Sequence, residues 1–335
     1  MNALQIGKID PAILEKLIAR YTRTDERVVL GSGIGEDATV IDMGDRYLVA
    51  KTDPITHVTG EIGYYAVNIN ANDIAAMGGT PMWFLATILM PEHACREDLE
   101  RVFSQISDSC RKLGIVYCGG HTEVTTGVNN PVVVGQMLGE VDKSRLKPTA
   151  GARQGDDLIM TKWAAIEATS IIAVEHGETL RARFSDELIA RAREYLHNPG
   201  ISVTSDSRIV SQYPQIHALH DPTEGGIATG IHEMAYAGNV GMEVYYDQIP
   251  ISEETAALCG FYDVDPLGTF ASGSLLIASD PAISQEVMDR LHTDGIKATR
   301  IGKFKAREDG IHMIKQNQIL PLPIYHQDEL SKVFG

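Results

Sequence analysis

The stretch that most constrains this chain is residues 61–90, EIGYYAVNINANDIAAMGGTPMWFLATILM. Ile62, Tyr65, Ala66, Ile69, Ala76 and Met77 fall at helical spacing, so the first half predicts a helix with one apolar face. Gly78 and Gly79 stop it, and Pro81 bars its continuation. Residues 82–90 are almost wholly apolar, which predicts a strand covered on both faces. Asn68, Asn70, Asn72 and Asp73 interrupt the helix with side chains that compete for backbone hydrogen bonds. Against alanine they cost about 1–2 kcal/mol of propensity. A solvated polar face could carry that cost, but Glu, Lys or Gln would make a better one, so Asn72 and Asp73 are taken as functional candidates.

At 335 residues the chain can form one large domain or two ordinary ones. A hydrophobic share of 44% and a charged share of 22% belong to a globular protein. No apolar run nears the roughly 20 residues of a membrane span. The opening MNALQIGKIDPAIL lacks the basic-then-apolar order of a signal peptide. Cysteines 95, 110, 118 and 259 have no CxxC spacing, so neither a zinc site nor a disulfide framework is expected. Reduced thiols fit a cytoplasmic location. A net charge of −16 argues against nonspecific nucleic-acid binding. A nucleotide ligand would need divalent cations or local arginines to offset that field.

Asp10 and Pro11 predict a helix start, with Ile13, Leu14, Leu17, Ile18 and Tyr21 as its stripe. Strands are expected at 39–43 and 46–52, joined by a two-residue turn at Gly44-Asp45. Before them stands Gly31-Ser32-Gly33-Ile34-Gly35-Glu36-Asp37. Alternating glycines let backbone N–H groups approach an anion. The run is neither a P-loop, having no Gly-Lys-Ser/Thr, nor a dinucleotide fingerprint, having a strand where a helix is needed. Asp53 closes the second hairpin strand before Pro54. Asp37, Asp53 and Asp73 thus bracket the hairpin and the helix. Two bare carboxylates ~4 Å apart repel by ~4 kcal/mol at an effective dielectric of 20. If folding gathers these three, they need a cation, and hard oxygen ligands suit Mg²⁺.

A helix is expected at 96–113 with Leu99, Val102, Phe103, Ile106, Cys110 and Leu113 inward. A short strand, 115–118, then runs into a Gly119-Gly120 turn that presents His121 and Glu123, candidates because sites often sit on such turns. Another strand is expected at 131–140. Residues 146–157, LKPTAGARQGDD, read as a boundary between an N-terminal domain, 1–148, and a C-terminal one, 149–335. In the second, Asp221 ends a short strand, and Gly225-Gly226 open a helix whose N-terminus is a ready anion site. Residues 321–335 read as a peripheral appendage.

Five segments then coincide in order and spacing: GIGEDATVID, the NANDIAAMGGTP run, GGHTE, DPTEGGI with its helix, and DPLGTFASGSLLIA. Together they resemble the superfamily of aminoimidazole ribonucleotide synthetase, selenophosphate synthetase, thiamine-monophosphate kinase and hydrogenase expression/formation protein E, most closely its hydrogenase-maturation branch. The resemblance spans about residues 30–305. It implies an α/β (α+β) architecture of two domains, each a mostly antiparallel sheet covered by helices on one side. It also implies a homodimer whose N-terminal sheets meet. ATP and Mg²⁺ would bind in the cleft, for phosphorylation of an oxygen on a small substrate or peptide end; the alternatives are a nucleotide-binding maturation or regulatory partner with little turnover and a small-molecule kinase like thiamine-monophosphate kinase, and a maturation partner protein is implied as well. By motif match Asp37, Asp53 and Asp73 would hold the metal. Gly33, Gly35, Asn72, Asp221, Gly225 and Gly226 would line the nucleotide, and Asp73, His121 and Glu123 would act in catalysis. Two departures stand out. The chain lacks the C-terminal Pro-Arg-Ile-Cys of the standard maturation proteins, having no cysteine after Cys259. Its glycine run also lacks the Cys (or Sec) and Lys of the selenophosphate branch.

Overall fold

The computed structural model describes residues 7, 9, 11–23, 25–31, 33, 35–56, 60–325 and 327–334. Asp10, expected as an N-cap, and Ser32 and Ile34 of the glycine run lie outside them. After helix α1 (Pro11–Tyr21), the N-terminal half builds β1 (Val28–Leu30), β2 (Thr39–Asp42), β3 (Tyr47–Ile55), α2 (Ile62–Ala76), β4 (Thr80–Pro91), α3 (Arg96–Leu113), β5 (Val116–Thr125) and β6 (Val132–Val141). The six strands form a sheet of order β1-β2-β3-β6-β4-β5, antiparallel except for β4 beside β5.

The second half contributes β7 (Asp157–Thr161), α4 (Ile166–Glu175), α5 (Gly177–Arg181), α6 (Asp186–Glu194), α7 (Thr204–Val210), β8 (Ile216–His220), α8 (Gly226–Ala237), β9 (Gly241–Tyr245) and α9 (Glu253–Tyr262). It ends with β10 (Leu276–Ser279), α10 (Ser284–Thr293), β11 (Ala298–Lys305), β12 (Ile311–Lys315), β13 (Gln318–Pro321) and α11 (Ser331–Phe334). Its sheet runs β13-β12-β9-β11-β7-β10-β8, and only β12 and β9 are parallel. Each half is therefore a mostly antiparallel sheet covered by helices.

Helix α2 organises both halves. Of its 15 residues all but Tyr64 are buried, Asn68, Asn70, Asn72 and Asp73 included. The idea of a solvated polar face is thereby overturned. Val67, Ala71 and Ile74 pack on Val49, Phe84 and Met137 of the first sheet. Tyr65 and Ile69 pack on Ile166, Ala168 and Ile201 of the second half. A helix covered on all sides needs no amphipathic pattern.

Three other expectations change. β4 is buried on one face only: Phe84, Ala86, Ile88 and Met90 point into the core, while Trp83, Leu85, Thr87 and Leu89 are half-exposed. The predicted turn at Gly119-Gly120 is the interior of β5, an edge strand whose register shifts there against β4. A Cβ on Gly120 would lie 1.9 Å from the Ala86 carbonyl oxygen, so glycine is required for the strands to approach. Phe103 is 38% exposed rather than inward.

Candidate functional site

Four segments converge where α2 meets the second half. β3 carries Lys51 and Asp53, which share a face because they are two residues apart. α2 carries Asp73, the residues before β2 carry Asp37, and Asp221 follows β8. Asp37, Asp73 and Asp221 are buried, and each offers an oxygen within 4.8 Å of the others. Lys51 Nζ lies 2.9 Å from Asp73 Oδ1 and 3.4 Å from Asp53 Oδ2, which draws Asp53 into the group.

His220 lies beside them, its Nδ1 2.9 Å from Asp37 Oδ1 and its Nε2 3.0 Å from Glu233 Oε2. Burial alone would lower its pKa, but Asp37 and Glu233 carry it well above the usual imidazole value. Burial raises the Asp73 carboxyl well above the carboxylate range, Lys51 opposing and Asp53 and Asp37 adding to the rise. Burial raises Asp221 in the same way, with Asp73 and Asp37 pushing it further. Among the described residues, Asp73 Oδ2 and both Asp221 oxygens have no hydrogen-bond partner. Five acidic side chains, Glu233 included, face two basic ones, so the group holds more acid than the protein's own basic residues match. Orphaned, buried, hard oxygen donors in that number fit Mg²⁺.

The neighbouring polar residues brace the site. Asn70 Oδ1 accepts from Asp53 N at 2.9 Å, and its Nδ2 donates to the Ala66 carbonyl at 2.9 Å, tying β3 to α2 at Asp53. A Cβ on Gly135 would meet Asn70 Nδ2 at 2.4 Å, so that glycine makes room for the tie. Asn72, expected at the nucleotide, instead fastens the two halves: its Nδ2 donates to Ile201 O at 2.7 Å and its Oδ1 accepts from Val203 N at 2.9 Å. Glu36 accepts from Thr149 N at 3.2 Å and Ala150 N at 3.0 Å, holding the loop that carries Asp37 against the segment between the sheets.

The predicted glycines differ in use. Gly33 and Gly35 lie just before Asp37. Gly35 has φ +80°, and a Cβ there would come 2.9 Å from the Glu233 carbonyl oxygen. Gly225 and Gly226 open α8 with φ +80° and +72°. The Gly225 N–H does not wait for an external anion, because it donates to Asp328 Oδ2 at 2.7 Å. The expected appendage is thus part of the fold: among its described residues Asp328, Leu330 and Val333 are buried.

His121 and Glu123 are not brought to the cluster. They sit on β5 opposite Thr87 and Leu89, on the open face of the sheet, with His121 Nε2 3.1 Å from Glu123 Oε2. Asp53 and Lys51 point to the other face, in register with buried Gly135 and Met137. Lys51 and His220 are the residues that the sequence reading missed. Lys51 was findable from its two-residue spacing to Asp53, and His220 from its place beside Asp221.

Similar proteins share this architecture. A protein of Methanocaldococcus jannaschii described as a hydrogenase expression/formation protein is 26% identical over 331 residues, covering 95% of each chain. Carbamoyl dehydratase HypE of Azotobacter vinelandii is 26% identical over 314 residues, covering 90% of this chain and 86% of that one. A crystal structure of hydrogenase maturation protein HypE in complex with ATP superposes with a TM-score of 0.69 at 21% identity, covering 98% of each chain. The family models for AIR synthase related protein match twice, the N-terminal domain over residues 35–141 and the C-terminal domain over residues 153–315. The chain therefore belongs to the AIR synthase related family.

Proposed function

We propose that this protein is a Mg²⁺-dependent enzyme that uses ATP to phosphorylate an oxygen of a small substrate or peptide end. The observation that carries the reading is the set of orphaned oxygens on Asp73 and Asp221, buried beside Asp37. Leaving ionised carboxylates buried and unpaired is costly unless a cation joins them. Asp37, Asp73 and Asp221 would hold Mg²⁺, with Asp53 behind Lys51. Bound there, the ion would neutralise phosphate charge, the main requirement of phosphoryl transfer. Lys51 and His220 keep the group from flying apart before the ion arrives. The nucleotide reading draws on the ATP complex of the similar maturation protein and on membership of the family.

The carbamoyl dehydratase among the relatives favours an amide-like acceptor. In this reading His121 and Glu123 meet the chemistry only if a second copy docks on the open face of the first sheet. The half-exposed Trp83, Leu85 and Leu89 there support such a homodimer. The test is calorimetric titration with ATP, with and without Mg²⁺, and ADP release in the same samples. Binding that requires Mg²⁺, and is lost in Asp221→Asn, is expected together with slow turnover. Absence of nucleotide binding to the native chain would refute the proposal.

A further inference from the structure

Asp73 divides its two oxygens. Its Oδ1 lies 2.9 Å from Lys51 Nζ, while its Oδ2 is buried with no hydrogen-bond partner among the described residues. Asp53 flanks the same ammonium, its Oδ2 3.4 Å from Nζ. Lys51 thus fills the place between Asp53 and Asp73. The oxygens left over are Asp73 Oδ2 and both of Asp221, whose carboxylates gather with that of Asp37. A carboxylate shared between two cations is the kind of bridge on which a two-metal site holds ions about 3.5–4 Å apart. Here one of the two cations belongs to the chain.

The fold keeps it there. Lys51 lies in the middle of β3, in register with Met137 of β6. The strand is tied to α2 two residues further on, where Asn70 accepts from Asp53 N at 2.9 Å and donates to Asp53 O at 3.3 Å. The lysine side chain is 23% exposed and that of Asp73 only 7%. Burial alone would lower the lysine pKa, but Asp73, Asp53 and Asp37 together raise it above the usual lysine range, so the group is charged at neutral pH.

We propose that the Lys51 ammonium takes the place of a second divalent cation, so that the protein binds one Mg²⁺ at Asp37, Asp73 and Asp221, with Asp53 committed to the lysine. The inference rests on the metal and nucleotide reading above and gives it an ion count. Lys51 is a positioning residue: it acts through Asp73, engaging Oδ1 and leaving Oδ2 for the ion. An ammonium and a divalent ion between the same two carboxylates would repel, so the second ion is kept out. A cation fixed to the chain does not dissociate either, and binding should rise hyperbolically with Mg²⁺ rather than cooperatively.

The test counts ions on the full chain. Mn²⁺ suits the same carboxylate ligands; it is titrated in without nucleotide, and the free ion is read from its electron paramagnetic resonance signal. The native protein should bind one tight Mn²⁺. Lys51→Met keeps the unbranched stem, removes the charge and should bind two, close enough to couple and broaden the bound spectrum, which ions scattered on an acidic surface do not do. Lys51→Arg keeps a cation and should bind one. Lys51→Met combined with Asp53→Asn should return to one, because the second ion loses its ligand. Asp53→Asn alone, with the lysine still in place, should keep one ion at near-native affinity. Melting curves in the same samples should show Lys51→Met below the native protein in chelator and recovering with Mn²⁺. A lysine that only braced the fold would leave the ion count unchanged. Two coupled ions on the native chain, or a single ion on folded Lys51→Met, would overturn the proposal. So would a loss of affinity beyond about tenfold in Asp53→Asn, the scale expected when support of a metal site is removed. No Mn²⁺ on the native chain would instead refute the metal assignment itself, so the two failures are told apart.

Discussion

Replacing Asp221 by Asn should make the ligand-free protein more stable and the nucleotide-binding one useless. Asp221 is 3% exposed and has no hydrogen-bond partner for either oxygen among the described residues. Its reach of 4.8 Å or less to Asp37 and Asp73 means a repulsion of at least about 3 kcal/mol per ionised pair at an effective dielectric of 20. Lys51 and His220 offset part of this, yet burial with Asp73 and Asp37 still leaves the carboxyl well above its ordinary range. A neutral amide of the same shape removes the charge and keeps the volume. A net gain of roughly 1–2 kcal/mol corresponds to a melting point higher by about 2–8 °C for domains of this size. Native protein saturated at a hundred times its dissociation constant should gain about 2.7 kcal/mol from Mg²⁺-ATP, and the variant should gain almost none. Scanning calorimetry at pH 8, with and without Mg²⁺ and ATP, measures both effects. A variant that melts below the native apo protein, or that keeps its Mg²⁺-dependent shift, would falsify the metal assignment.

Glu167 predicts a pH dependence. Its folded pKa of about 7 exceeds the unfolded value of 4.5, so the folded state binds the proton more tightly and stability falls as pH rises between those values. The loss should be about 3 kcal/mol by pH 8, and urea melts of Glu167→Gln should lack it. Asn72→Ala strands the Ile201 carbonyl and the Val203 N–H inside the seam, which should cost roughly 2–4 kcal/mol; a urea midpoint within error of the native one would refute the clamp. Gly226→Ala places a methyl 2.3 Å from the Leu267 carbonyl oxygen at φ +72°, so a melting point lower by several degrees is expected, in line with a strain of roughly 1–3 kcal/mol.

Where local chemistry and long-range packing agree, the sequence was legible. The 61–90 stretch announced helix, glycine stop and strand, and Asp37, Asp53 and Asp73 were flagged from a glycine run, a strand end and an ill-suited place inside a helix. What escaped was decided by contacts far apart in the chain. Asn72 was taken for a nucleotide residue because nothing local says that residues 201 and 203 will come back to receive it. Gly119-Gly120 looked like a turn because glycine serves both turns and tight strand pairing, and only the Ala86 carbonyl on β4 decides between them. His121 and Glu123 lie apart from the cluster for that reason: continuing the strand turns their side chains to the open face. The C-terminal segment has no periodic pattern, and its weight lies in one carboxylate meeting the start of a helix about a hundred residues earlier. Asn72 and the C-terminal carboxylate share a cause. A buried polar side chain is stable only with a partner, and the partner here is set by tertiary placement rather than by spacing along the chain. Among the polar atoms still unmatched after folding, those of Asp73 and Asp221 are consequently the most informative about function, because they gather at one point beside Asp37.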